Sequence, residues 1–269
     1  MTKNKPMNPT KERYTPGHNP TATAFMAARD LDSHGFFLAP LLQPGFDVLD
    51  LGCGPATISS GIAEVVFPGR VTAVDTSAAQ LQHARRLAEG REIVNIDFVA
   101  ASAYELPFKD HSFDVVFAHA LLEHLGSPVD AIRELQRVTR PGGFAVVCSP
   151  DWDEFKISPS SPEVEEAISA YRELQEANGG NTHAGAYLRI WLQQAGFTPL
   201  VHEEWQEEYE DPSAIGEYLA LQLETAGQPE HARTLREWAA HPAARFRQSW
   251  KYATAVRADA GKLHKSVTE

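Results

Sequence analysis

The sequence predicts an α/β protein with a doubly wound sheet, mostly parallel, and helices on both faces. Three observations carry that reading. Between residues 45 and 150, short apolar runs alternate with amphipathic segments of helical period. The first run, Val48-Leu49-Asp50-Leu51, opens into Gly52-Cys53-Gly54-Pro55-Ala56, a buried strand followed by a turn in which glycine lets the backbone approach a ligand. The second run, Val71-Thr72-Ala73-Val74-Asp75, ends in a carboxylate, at the end of the strand where open α/β sheets bind their ligands.

In chain order, residues 1–13 are polar and without periodicity, which predicts a mobile tail. Tyr14-Thr15-Pro16-Gly17-His18-Asn19-Pro20 is turn chemistry. Residues 21–43 read as helical, with breaks at Gly35 and Pro40. Strands follow at 47–51, 71–75, 96–100, 113–119 and 144–149. Helices are predicted at 57–66, after the cap residue Ser77, and at 128–139, where Ala131, Ile132, Leu135 and Val138 share one face. Pro141-Gly142-Gly143 reads as the turn that ends the last of these. Beyond Pro150 the rhythm changes to helices at 163–178 and 187–195 and an edge-type strand at 197–209. A broken helical stretch then covers 212–240, and 246–256 reads as a closing strand, with helix as the alternative. The glutamates from Glu203 to Glu210 read as a solvated edge that discourages strand pairing.

With 269 residues and 43% hydrophobic content, the chain can bury one large core. We expect a tail and lid over 1–44, a ligand-binding core over 45–150, and cap helices with closing strands over 151–269, in one compact domain. The formal net charge of -12 argues against nucleic acid or an anionic membrane as partner. Two cysteines in apolar runs, no apolar leader and no membrane-length run predict a cytoplasmic protein, monomeric or homodimeric. No HExxH or CxxC spacing occurs, so no metal site is expected.

The carboxyl ends of the predicted strands collect Asp50 to Gly54, Asp75, Ala101 to Tyr104 and His119. A carboxylate such as Asp75 can accept both hydroxyls of a ribose, which suits a dinucleotide or S-adenosylmethionine equally. Thr57 occupies the position of the third glycine in a dinucleotide fingerprint, so the pyrophosphate reading is disfavoured. Three further stretches complete the pattern: Ala101-Ser102-Ala103-Tyr104-Glu105-Leu106-Pro107-Phe108, Ser112-Phe113-Asp114-Val115-Val116-Phe117 and Arg140-Pro141-Gly142-Gly143.

In this order and spacing, the segments over 45–150 resemble the class I S-adenosylmethionine-dependent methyltransferases. The likeness is to the branch that holds the ubiquinone and menaquinone biosynthesis enzymes and many natural-product methyltransferases. The resemblance implies a Rossmann-like seven-stranded sheet with a reversed last strand, an N-terminal helical lid and a C-terminal helical insertion. It implies S-adenosylmethionine as cofactor and a small organic molecule as partner, methylated on O, N or C. It places Tyr14, Asp50, Gly52, Cys53, Gly54, Asp75, Thr76, Gln80, Ser102, Ala103 and His119 around the cofactor. Asp151, Trp152, His183 and Tyr187 fall in the substrate pocket, with His18 and His119 as candidate bases and His124 as a packing residue. Ala56 and Ser102 depart from the family's glycine and acid; Ser102 leaves adenine recognition to a hydroxyl and backbone groups. Two other readings stand beside this one: a nicotinamide-dependent oxidoreductase, and a cofactor-binding module without turnover.

Overall fold

The computed structural model describes residues 12–17 and 19–259. Most of the expected tail and the candidate base His18 therefore lie outside the described residues. Seven strands form one sheet: β1 (Val48–Leu51), β2 (Val71–Asp75), β3 (Ile96–Ala100), β4 (Phe113–His119), β5 (Thr139–Ser158), β6 (Thr198–Tyr209) and β7 (Arg245–Val256). Their order is β3-β2-β1-β4-β5-β7-β6. The first five run parallel, and β7 is inserted antiparallel between β5 and β6. Chain order reverses between β1 and β4, which opens a crevice above their carboxyl ends. This is the Rossmann-like sheet with a reversed last strand that the resemblance implies.

The flanking helices are α1 (Pro20–Ala27), α2 (Leu31–His34), α3 (Thr57–Val66), α4 (Ala78–Gly90), α5 (Pro128–Val138), α6 (Pro162–Ala177), α7 (Ala184–Gln194), α8 (Ser213–Thr225) and α9 (Pro229–Ala239). Three cores result. On one face α5 and α7 pack Ile132, Leu135, Leu188 and Leu192 against Leu49, Val116, Val147 and Ala255. On the other, Leu31, Ile58 and Ile62 cover Val48, Val115, Phe117 and Val146. The alternating side chains of the pleat supply both faces, which is why β1 is fully buried and apolar apart from Asp50. A third core joins α6, α8 and α9 to Trp152 and Phe246 on the extensions of β5 and β7.

The structure corrects the sequence reading in four places. The 21–43 stretch breaks first after Ala27, because Asp30 starts α2 with a reciprocal cap: its carboxylate accepts from Ser33 N at 2.8 Å, and Ser33 Oγ accepts from Asp30 N at 3.1 Å. Pro141-Gly142-Gly143 does not end in a turn but lies within β5, where the register to β4 shifts and Gly142, at φ +79°, donates its N–H to Arg257 O at 2.9 Å. β5 also continues past Pro150 to Ser158, because β7 pairs with both stretches. Finally, the acidic run is not wholly solvated. Glu204, Gln206, Glu208 and Glu210 are exposed, while Trp205, Glu207 and Tyr209 alternate toward the protein.

Candidate active site

A cavity of about 280 Å³ lies at the carboxyl ends of β1, β2 and β4. Its floor is the loop after β1, where Gly52, Gly54 and Ala56 all adopt left-handed backbone at φ +76°, +51° and +58°. Gly52 is required on two counts: the conformation, and the lack of space, since a Cβ there would meet Leu121 side-chain atoms at 3.0 to 3.1 Å. Gly52 N and Cys53 N both donate to Val74 O, at 2.7 and 2.9 Å, and tie the loop to β2. Asp75 accepts Gly54 N at 3.1 Å and Ser77 N at 2.8 Å, so backbone donors orient its carboxylate at the cavity wall.

Asp50 sits beneath the loop, 3% exposed, and accepts the Ser59 hydroxyl at 2.5 Å. Burial pushes its carboxyl up to about 7, against the Ser59 bond and with help from the Asp75 charge. Burial likewise raises the Cys53 thiol, which leaves it an inert wall. Thr76, Ser102 and Ala103 line the outer part of the cavity, with the Ser102 hydroxyl accepting Tyr104 N at 3.2 Å. Gln80 lines it too, and its Nε2 donates to Thr23 on α1 at 3.0 Å, linking α4 to the lid.

The lid closes the inner end. Tyr14 lines the cavity, its hydroxyl donating to Met26 Sδ at 3.4 Å and its ring set edge-on to His124 at 4.9 Å. Glu12, expected in the tail, is instead docked: it accepts the Tyr104 hydroxyl and Gly126 N, the latter at 2.7 Å. Arg13 N donates to Asn178 O at 3.1 Å. His119 stacks on Trp250 at 5.0 Å and borders the cavity. His124, expected as packing, borders it as well. Burial holds the His119 imidazole well below its ordinary value and brings His124 down to about 3, so both are neutral. His119 Nε2 and His124 Nδ1 are buried without a hydrogen-bond partner among the described residues. Unsatisfied buried nitrogens in a cavity wall are what a polar ligand would complete.

A second, smaller cavity of about 50 Å³ adjoins the first and shares Tyr14, Met26, Arg29, Ala120 and His124 with it. Its walls are aromatic: Phe25, Trp152, Tyr171, Tyr209, Tyr218 and Trp250. Glu123 lines it, 3% exposed, accepting the Ser149 hydroxyl at 2.8 Å and lying 3.9 Å from His124 Nε2. Burial pushes its carboxyl up to about 7.

All eleven residues expected around the cofactor line the larger cavity. Of the four expected in the substrate pocket, Trp152 lines the smaller cavity, while Asp151, His183 and Tyr187 line neither. Asp151 is buried and ion-paired with Lys251 at 2.9 Å. His183 pairs with Asp153 at 2.9 Å, and Tyr187 is 46% exposed, stacked on Trp191 of its own helix. Ligand atoms of Asp151, Asp153 and His183 lie within 4.8 Å of one another, but the Lys251 ammonium already neutralises Asp151. Sequence reasoning missed Arg29, Glu123 and Tyr218. Glu123 follows four residues after His119, which the sequence reading placed beside the cofactor, and that nearness was the available signal.

Residues 49–147 match the methyltransferase domain family. A Streptomyces fradiae protein carried in a transposon is 33% identical over 184 residues, covering 68% of this chain and 52% of its own length. A demethylmenaquinone methyltransferase from Listeria welshimeri is 31% identical over 156 residues, 57% of this chain and 64% of the relative. The chain thus spans about half to two thirds of the length of these curated relatives. Among solved structures, a SAM-dependent methyltransferase from Aquifex aeolicus superposes with a TM-score of 0.55 at 16% identity, over 91% of this chain and 100% of the other. Over residues 49–147 the chain therefore carries a class I methyltransferase domain, the family whose cofactor is S-adenosylmethionine.

Proposed function

We propose that the protein moves a methyl group from S-adenosylmethionine to O, N or C of a small organic acceptor, in the manner of natural-product methyltransferases. The observation that carries this reading is the pair of adjoining cavities, one at the switch point holding the glycine loop and Asp75 and one walled by aromatic rings, meeting at Tyr14, Met26, Arg29, Ala120 and His124. When bound, the cofactor supplies the electrophilic methyl, and the protein's part is to position the acceptor and exclude water. Asp75 is the ribose acceptor. The Gly52–Gly54 loop, with Asp50 behind it, takes the methionine end, and Ser102 with Ala103 takes the adenine.

Of the basic groups at the junction, Glu123 fits general-base work better than His119. A base is most effective when its pKa lies near the working pH. Burial brings Glu123 to about 7, whereas the same burial depresses His119 and His124 until they barely accept protons. The Ser149 hydroxyl holds one Glu123 oxygen in place and leaves the other toward His124 and the cavity. A hydroxyl or carbon-acid acceptor would pass its proton there as the methyl arrives; an amine acceptor already free of its proton needs no such help.

Calorimetric titration with S-adenosylmethionine and with NADH separates this reading from the oxidoreductase alternative. Binding of the first alone is expected, and binding of NADH alone overturns it. Formation of S-adenosylhomocysteine in the presence of an acceptor panel then distinguishes an enzyme from a binding module.

A further inference from the structure

Arg29 borders both cavities, but its head group belongs to the second. The guanidinium carbon lies 4.9 Å from the Trp250 ring centre and 5.4 Å from that of Phe25, and both rings line only the smaller cavity. The backbone beneath it is fixed, because Arg29 N donates to Met26 O at 3.2 Å and Arg29 O accepts the Thr57 hydroxyl at 2.5 Å. Among the described residues, no carboxylate comes within 4.0 Å of its nitrogens and no side-chain hydrogen bond satisfies them. By contrast, Arg137, Arg140 and Arg236 each hold two carboxylates. A half-buried guanidinium with an open fork of donors is an electrostatic demand on whatever enters.

The surroundings favour a negative visitor. Burial keeps the Tyr14, Tyr171 and Tyr209 hydroxyls protonated and brings Tyr218 up to about 12, so the four phenols add no negative charge to the cavity wall. Burial pushes Glu123, the acid in the same wall, up to about 7, and the nearby Glu207, held low by His34 against its own burial, is spent on His34 and on Trp250 Nε1 at 2.8 Å. The aromatic walls would suit a cation if they stood alone, but Arg29 already fills that role against two of them. From these residues we propose that the acceptor is an aromatic organic acid, its carboxylate on the Arg29 fork and its ring against the wall formed by Trp152, Tyr171 and Tyr218. The cavity's volume of about 50 Å³ limits the buried part to a compact fragment. This inference rests on the reading of the second cavity as the acceptor site.

The test uses full-length protein saturated with S-adenosylhomocysteine, titrated calorimetrically with paired probes: benzoate against benzamide, and indole-3-acetate against its amide. At least one acid should bind about tenfold or more tightly than its amide, the scale of a bidentate guanidinium–carboxylate contact in a desolvated site. Arg29→Gln should erase that preference while leaving affinity for S-adenosylhomocysteine within about threefold. Arg29→Lys should retain part of the preference, since the charge remains and the fork does not. Acids binding no better than their amides, or not at all, overturn the proposal and leave the cofactor reading intact. If Arg29→Gln and Arg29→Lys both weaken S-adenosylhomocysteine tenfold with the acid preference unchanged, Arg29 serves the cofactor's carboxylate and the proposal fails. Absence of S-adenosylhomocysteine binding in the unaltered protein sinks the proposed function itself. Thermal melts of both variants establish that they are folded.

Discussion

The two adjoining cavities are built in different ways. The larger takes its essential groups from strand ends and the turns that follow them, so Gly52, Gly54, Asp75 and Ser102 are each placed by the element they terminate. The smaller draws Phe25 from α1, Glu123 from the turn after β4, Trp152 from β5, Tyr171 from α6, Tyr209 from β6, Tyr218 from α8 and Trp250 from β7. Parallel strands fix their own carboxyl ends in register, so the first cavity is nearly assembled once the sheet forms. The second exists only after the helical cap has packed on the strand extensions. The difference predicts that cofactor binding and acceptor chemistry can be damaged separately.

The largest effect should come from Glu123→Gln. It keeps the shape and the Ser149 contact but removes the base, so turnover of a hydroxyl acceptor should fall by about 10²- to 10⁴-fold. Cofactor affinity, read by titration of S-adenosylhomocysteine, should stay unchanged. Equal turnover in the variant would remove Glu123 from the chemistry.

Next is Trp152→Ala, which empties a buried site packed on Tyr171 and Phe246 at ring distances of 5.0 and 6.2 Å. Loss of a buried aromatic typically costs about 3 to 5 kcal/mol. Chemical denaturation should show that loss. If the halves are separable, the fraction still folded binds S-adenosylhomocysteine normally and no longer distinguishes acceptors.

Asp75→Asn is the converse, expected to weaken the cofactor about tenfold or more, since a neutral amide accepts less strongly from two hydroxyls. Melting temperature should move little, because the amide oxygen still receives one of the two backbone donors. A large drop in melting temperature with unchanged affinity would make Asp75 a loop-anchoring residue instead.

The smallest effects are in pH. Burial raises Asp50 and Glu123 to about 7, so the folded protein holds protons there that the unfolded chain has already released. Their contribution to stability is therefore whole below about pH 4 and declines as pH rises toward 7. Asp50→Asn and Glu123→Gln should each flatten that part of the melting-temperature profile. A cationic cofactor beside Asp50 favours its ionised form, so affinity should increase a few-fold between pH 6 and 8 and lose that slope in Asp50→Asn. A flat profile in the unaltered protein would place the cofactor's positive charges away from Asp50.

Much of the first cavity was legible in the residues themselves. Period and turn chemistry are local, and Leu51 to Ala56, Val71 to Ser77 and Phe113 to His119 each announce a strand and its exit. The cap was misread where pairing overrode local signals: β5 runs on through Pro150 because β7 lies beside it. Asp151, His183 and Tyr187 were expected near the acceptor from the family resemblance, yet the ion pair of Asp151 with Lys251, the contact of His183 with Asp153 and the exposure of Tyr187 on α7 hold them elsewhere. Arg29 gave no sign of its importance and Glu123 only its nearness to His119, since a charge signals its role only when burial and the lack or presence of a partner are known.

The sequence by itself therefore determined the sheet, the glycine turn and the carboxylate that line the first cavity, because each depends on residues adjacent in the chain. Only the tertiary structure decided which side chains close the second cavity. That cavity gathers residues spread from Tyr14 to Trp250, and the same packing sets the protonation of Glu123 and leaves the Arg29 guanidinium facing aromatic walls with no carboxylate of the described residues to hold it.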